Sequence, residues 1–146
     1  MFTKTWFKAA VIVVGVGLLG FVGIQFMPVD RSNPPVISGP QWDSSKTKAL
    51  MQRACFDCHS NETKWPWYAY VAPVSWLVAN DVHEARAVFN VSEWQPGDGA
   101  EAAEQVEAGN MPRPQYLLMH PEARLTKEEK EALIAGLKAT FGAGGE

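Results

Sequence analysis

The chain is 146 residues long, 47% hydrophobic and 20% charged, with 13 Lys and Arg against 16 Asp and Glu for a formal net charge of −3. From Pro28 onward the balance is eleven basic to sixteen acidic residues, which argues against the basic surface that nucleic-acid binding needs. The chain beyond Gln41 is long enough for one small domain only.

The first quarter does not read as globular. Ala9 to Ile24 is an uninterrupted apolar run that extends through Gln25 to Phe26 and Met27. A helix from Ala9 to Met27 would measure about 28 Å, close to the ~30 Å hydrocarbon thickness of a bilayer. Lys4 and Lys8 precede it, Asp30 and Arg31 follow it, and Trp6 and Phe7 stand at its inner edge. The positive-inside bias therefore places the N-terminus in the cytoplasm and the rest of the chain outside it. A cleaved signal peptide needs a small-x-small site, which Ile24-Gln25-Phe26-Met27-Pro28 does not offer. Residues 1–27 are read as a retained transmembrane anchor.

Residues 28–41 read as a Pro-rich linker, with Pro28, Pro34, Pro35 and Pro40 among Ser, Asn and Gly. Extended polyproline geometry could lift the following domain by up to about 40 Å; the other reading is an arm packed along the domain surface. Residues 42–146 are read as an all-α domain of four helices. Asp43 or Ser44 caps the first, which runs to about Ala54 with Leu50, Met51 and Ala54 inward. Pro73 opens the second, to about Phe89, whose stripe is Val74, Leu77, Val78, Val82, Ala85 and Phe89. Asp98 caps a short third, Ala100 to Ala108, which Gly109 ends. Thr126 and Glu129 form a capping box for the last, with Leu133, Ile134, Leu137 and Phe141 inward.

The chemistry is carried by Cys55-Phe56-Asp57-Cys58-His59, a C-x-x-C-H that holds the chain's two cysteines. This is the attachment pattern of c-type haem. Two thiols three positions apart at a helix end can reach the two vinyl groups on one porphyrin edge, and the next residue offers its imidazole to the iron. Three other readings compete. A disulfide leaves His59 unexplained. A thioredoxin-like dithiol needs a βαβ setting. Zinc would need Cys55, Cys58 and two of His59, His83 and His120, without finger spacing. One covalently bound haem c with iron held by His59 is the expectation.

Electron-transfer haems take a sixth ligand. Met111, between the Gly109 helix stop and Pro112 and Pro114, stands in a stiff loop suited to a rigid axial thioether. His120 is the alternative sixth ligand, and His83 lies off its helix's apolar stripe. A methionine filling a core gap is the bland reading of Met111. The aromatic load is heavy: Trp65, Trp67, Tyr68, Trp76 and Trp94. Trp65, Trp67 and Arg86 are the candidates for contacts to haem propionates, against the plainer readings of core rings and a solvated helix charge.

From Cys55 onward the chain resembles the haem-binding domain family, small bacterial proteins related to class I cytochromes c. The resemblance rests on Cys55-x-x-Cys58-His59-Ser60-Asn61, Trp65-Pro66-Trp67-Tyr68 and Ala72-Pro73-Val74-Ser75-Trp76. It continues through Asp81-Val82 with Arg86, Asn90-Val91-Ser92-Glu93-Trp94, Met111-Pro112, Tyr116, His120-Pro121 and Ala123-x-Leu125-Thr126. Ala85 departs from it, standing where glycine is commoner. The resemblance implies a monohaem, cytochrome c-like helical domain, exported or tethered to the bacterial inner membrane. It also implies a close crossing of the first and last helices, which would place Gly136 there; the plainer reading is a tolerated glycine.

The function expected is one-electron transfer by a membrane-tethered monohaem cytochrome, not an enzyme, as a shuttle or a subunit of a membrane electron-transfer complex. Its partners would be the membrane and protein redox partners, with no small-molecule substrate. The alternative is a peroxidase-like haem enzyme or a gas or redox sensor with a labile sixth ligand.

Overall fold

The computed structural model describes residues 2–142, with side chains from Trp6 onward. The side chain of Lys4, used above for the charge bias, and residues 143–146 of the expected domain lie outside the described residues. Among the described residues every regular element is helical: α1 (Phe2–Ile24), α2 (Ser45–Ala54), α3 (Phe56–His59), α4 (Val74–Val88), α5 (Ala102–Glu107), α6 (Pro114–Met119) and α7 (Lys127–Phe141), with 3-10 turns at Trp67–Tyr70 and Pro121–Ala123. The protein is all-α, as expected. The chain forms two compact units, one made of the residues up to Arg31 with Trp65–Asn80, the other of Ser32–Lys64 with the residues from Asp81 onward.

In the first unit, α1 contains an apolar stretch, Trp6–Ile24, long enough to cross a membrane, and none of it is buried within the protein. Its Val, Leu and Phe side chains form a long exposed apolar surface. Past its end the chain is fastened to residues 69–72. The Gln25 amide pairs with the Ala72 backbone, its Nε2 donating to Ala72 O (3.2 Å) while Ala72 N donates to its Oε1 (2.9 Å). Arg31 Nη1 donates to Ala69 O (3.3 Å), and its guanidinium lies 4.6 Å over the Tyr70 ring.

In the second unit, residues 32–38 are hydrogen-bonded along their length, so the packed-arm geometry describes them rather than a free spacer. Ile37 N and Ser38 N donate to Ser92 O (2.8 and 3.1 Å), Asn61 Nδ2 donates to Pro35 O (3.1 Å), and Asn33 Nδ2 donates to Thr63 O (2.9 Å).

The core of this unit is Leu50, Met51, Phe56, Val91, Ala103, Val106, Leu133, Leu137 and Phe141. It lies where α2 and α5 pack on α7. Ser44 caps α2, its Oγ accepting from Thr47 N (3.1 Å). The Thr126/Glu129 capping box starts α7, with both reciprocal hydrogen bonds formed. α2 and α7 run antiparallel, tied by Arg53 Nη2 to Glu129 (2.6 Å) at one end and by Asp43 with Thr140 (3.2 Å) at the other. Between these ties Gly136 faces Thr47 so closely that a Cβ there would stand 2.7 and 2.8 Å from Thr47 Cγ2 and Cβ. Of the two readings of Gly136, close crossing is the one the packing supports.

Three expectations need correction. The α4 stripe predicts an inward apolar face, yet Val74 and Leu77 are exposed; the buried face is Ser75, Ala79 and Val82, at i, i+4 and i+7. Asp98 does not cap α5. Its carboxylate accepts from Gln95 N (2.9 Å) in a turn, and α5 starts at Ala102 without a side-chain cap. The stiff loop expected after Met111 contains a helix, α6, because Pro114 occupies a first-turn position where its missing N–H costs nothing.

Candidate haem site

The second unit encloses a cavity of about 680 Å³, well within the ~300–1,000 Å³ range of small-molecule and cofactor sites. It is lined by Met51, Ala54, Cys55, Cys58 and His59 from α2 and α3, and by Asp81, Glu84, Ala85, Val88 and Phe89 from α4 and its end. Residues 97–102, Gln105 and Val106, then Met111, Pro112, Arg113, Gln115 and Tyr116, and Leu137 from α7 complete it.

The motif residues are placed by the turn of chain between α2 and α3. Cys55 closes α2 by donating its N–H to Met51 O (2.8 Å), and its own carbonyl accepts from Cys58 N (3.1 Å) and His59 N (2.9 Å). Both thiols and the imidazole thereby line one cavity. Neither thiol is in a disulfide. Burial pushes the Cys55 thiol up to about 12, with Cys58 adding to the shift. Burial and then the Asp57 and Asp81 carboxylates push Cys58 up to about 11. Reactive dithiols work through lowered thiol pKa values, so these environments are the reverse of what the redox-dithiol reading requires.

His59 is held by Phe89 from two directions. Its Nδ1 meets the Phe89 carbonyl at 3.2 Å, and the two rings stack with centroids 4.4 Å apart. A carbonyl can only accept, so the proton sits on Nδ1 and the Nε2 lone pair is free to bind a metal. Burial lowers the His59 pKa, which keeps the ring neutral as a ligand must be.

Met111 lines the same cavity; its N–H donates to Gln105 O (3.1 Å), and the bond to Pro112 is cis. His120 is not among the lining residues. Its ring stacks on Tyr116 at 4.1 Å and its Nδ1 meets Glu122 Oε1 at 3.0 Å. His83 is not a lining residue either, and among the described residues no three His, Cys, Asp or Glu converge on a metal position.

Arg86, the propionate candidate in the unit that holds the cavity, is not among its lining residues. Trp65 and Trp67 belong to the first unit; Trp65 Nε1 is buried without a hydrogen-bond partner, and Trp67 is exposed. Arg86 is engaged elsewhere. Its Nε donates to Ser60 O (2.9 Å), Nη1 to Ser32 O (3.0 Å), and Nη2 to Asn33 Oδ1 (2.8 Å) and Thr63 Oγ1 (2.9 Å). It therefore joins the residue after the motif to the packed arm.

Arg113, which the sequence did not single out, and Tyr116, which it marked only through the family resemblance, complete the site. Arg113 lines the cavity and bridges to Asp81 (3.0 Å). Tyr116 Oη donates to Asp57 Oδ2 (2.8 Å), which pins α6 to one of the two residues between the thiols. Reading Pro114 as a helix start would have found both, since it puts Arg113 at the cap and Tyr116 in the first turn. Phe89 was visible only as an apolar position.

These residues fit a haem: a large, mainly apolar cavity, two neutral thiols and an imidazole with its metal-binding nitrogen free, and a thioether lining the same space. No curated protein and no solved structure matches the chain. The profile of the haem-binding domain matches residues 19–139, most of the chain, and the protein belongs to the haem-binding domain family.

Proposed function

We propose that this haem protein is a membrane-anchored monohaem c-type cytochrome that transfers single electrons. The observation that carries the reading is that Cys55, Cys58, His59 and Met111 line one cavity. Cys55 and Cys58 would hold the haem by thioether bonds, one to each vinyl group, the S–H adding across the double bond. When bound, the haem supplies a one-electron Fe(III)/Fe(II) couple. His59 presents Nε2 as the fifth ligand, oriented by Phe89. Met111 offers a neutral thioether as the sixth, a ligand that favours the reduced state. Arg113 is the cation the cavity lining provides for the propionates, in place of Arg86. Trp6–Ile24 anchors the protein in the inner membrane with the haem domain outside the cytoplasm, a placement supported by Lys4 and Lys8 before the span. Tethering raises the effective concentration at a membrane redox partner.

The test is mass analysis and absorption spectroscopy of the full chain made in a host that matures c-type haem. The denatured chain should carry the added mass of one haem; a bare polypeptide mass refutes covalent attachment. The oxidised protein should show a methionine-to-iron charge-transfer band that Met111→Ala abolishes and His120→Ala retains. A parent without that band refutes Met111 as the sixth ligand. High-spin iron that binds carbon monoxide readily would favour catalysis or sensing over electron transfer.

A further inference from the structure

Residues 65–80 are a run of sixteen without one charged side chain, in a chain that is 20% charged. Ala69, Ala72 and Ala79 of this run are buried, but several of its larger apolar side chains are not. Trp67 is 72% exposed, Tyr70 59% and Leu77 67%, with Val71 and Val74 exposed beside them. Val74 and Leu77 stand at i and i+3 on one face of α4, the part of its apolar stripe that the core does not cover.

The same compact unit says where this patch lies. Gln25, the first residue beyond α1, pairs through its side-chain amide with both backbone groups of Ala72. Arg31 bonds Ala69 O and covers Tyr70. Residues 69–72 are thus one side chain away from the end of the span. At that level a bilayer presents its headgroup–acyl boundary, where Trp and Tyr are favoured because their rings want apolar contact and their polar tips want water.

We propose that residues 65–80 are a second membrane-contact surface, seated in the lipid interface of the leaflet where the N-terminal helix ends. The proposal rests on the reading of Trp6–Ile24 as a membrane span. Lipid is the occupant because the patch is continuous with the span's end, is uncharged, and combines aromatic with aliphatic exposure.

The test is photocrosslinking of the full haem-loaded chain in nanodiscs of phosphatidylcholine and phosphatidylglycerol. Photoreactive benzoylphenylalanine replaces Leu19, Trp67 or Leu77 in turn, all exposed positions, and each product is first checked for the parent's haem spectrum. Lipid adducts at 67 and 77, in yields of the same order as at 19, are expected. Adducts at 19 with none at 67 or 77 overturn the proposal while leaving the span intact. No lipid adduct at 19 overturns the span reading itself. Protein adducts at 67 or 77 in place of lipid identify a second copy or a partner as the occupant, and overturn the proposal too.

Discussion

Gly136→Ala sets two magnitudes against each other. Alanine in a helix interior is better than glycine by about 1 kcal/mol, so on propensity alone the variant should gain stability. The added Cβ, however, would stand 2.7 and 2.8 Å from Thr47 Cγ2 and Cβ, and nearer still to Thr47 Oγ1. Rotating Thr47 cannot relieve this, because its Cβ is fixed to the α2 backbone and its Oγ1 is bonded to Ser44 Oγ at 2.9 Å. The helices must part, and overpacking of this kind costs about 1–3 kcal/mol. A further ~0.5–1.5 kcal/mol goes if the Thr47–Ser44 hydrogen bond breaks. The net expectation is a loss of about 1–2 kcal/mol, or roughly 5–15 °C in Tm for a domain of this size. Thermal unfolding of the full chain in detergent, followed by far-UV circular dichroism and haem absorption, measures it. Adding Thr47→Gly, which removes the three nearest atoms, should recover part of the loss as a favourable coupling. A Gly136→Ala protein that melts higher than the parent would refute the close crossing.

Tyr116→Phe keeps the ring stacked on His120 but deletes the hydroxyl that donates to Asp57. Bonds to charged groups are worth about 1.5–3 kcal/mol, and partial exposure puts this one at the lower end; a urea midpoint unchanged within error would refute the tie. The same variant should weaken the methionine charge-transfer band, because α6 follows directly on the Met111 loop. Arg86→Ala should cost about 2 kcal/mol from its lost hydrogen bonds and leave the reduction potential unaltered. Arg113→Ala should instead lower the potential, since a cation beside the haem favours the reduced iron; redox titration distinguishes them, and a potential moved by Arg86→Ala alone would reverse the assignment. The Glu129 carboxyl is held below its ordinary 4.5, first by Arg53 and then by the Thr126 backbone. Its contribution is therefore present above pH 4.5 and is lost as pH falls through the lowered folded value. Glu129→Gln should narrow the stability gap between about pH 7 and about pH 3, and urea midpoints that keep the parent's gap would show the carboxylate to be idle.

The strongest sequence signals are those in which one residue type does one job. C-x-x-C-H marks the thiols and imidazole, T-x-x-E marks the start of α7, and an uncharged apolar run marks α1. The α4 stripe misleads because periodicity reports that a face is apolar and not what covers it; Val74 and Leu77 keep their spacing while lying outside the core. Prolines mislead in the other direction. Pro112 and Pro114 read as stiffening a loop, whereas Pro114 starts a helix that carries Tyr116 to Asp57. Arg86 is unreadable because its acceptors are mostly backbone carbonyls and small polar side chains from residues 32, 33, 60 and 63. Such acceptors leave no sequence pattern.

The C-x-x-C-H motif depends on a scaffold assembled by the other end of the chain. Cys55 ends α2, and α2 is fixed against α7 at three levels: Arg53 with Glu129, Thr47 against Gly136, and Asp43 with Thr140. The first tie lies two residues before Cys55, and its acceptor is the same carboxylate that closes the α7 capping box. Leu137, next to the crossing glycine, lines the cavity itself. A perturbation of the crossing thus reaches the thiols through α2 and the cavity lining through α7. For that reason Gly136→Ala should disturb the haem absorption as well as the melting temperature. Thr126→Ala, at the start of α7 and about three turns from the crossing, should lower stability and leave the spectrum of the folded protein unaltered.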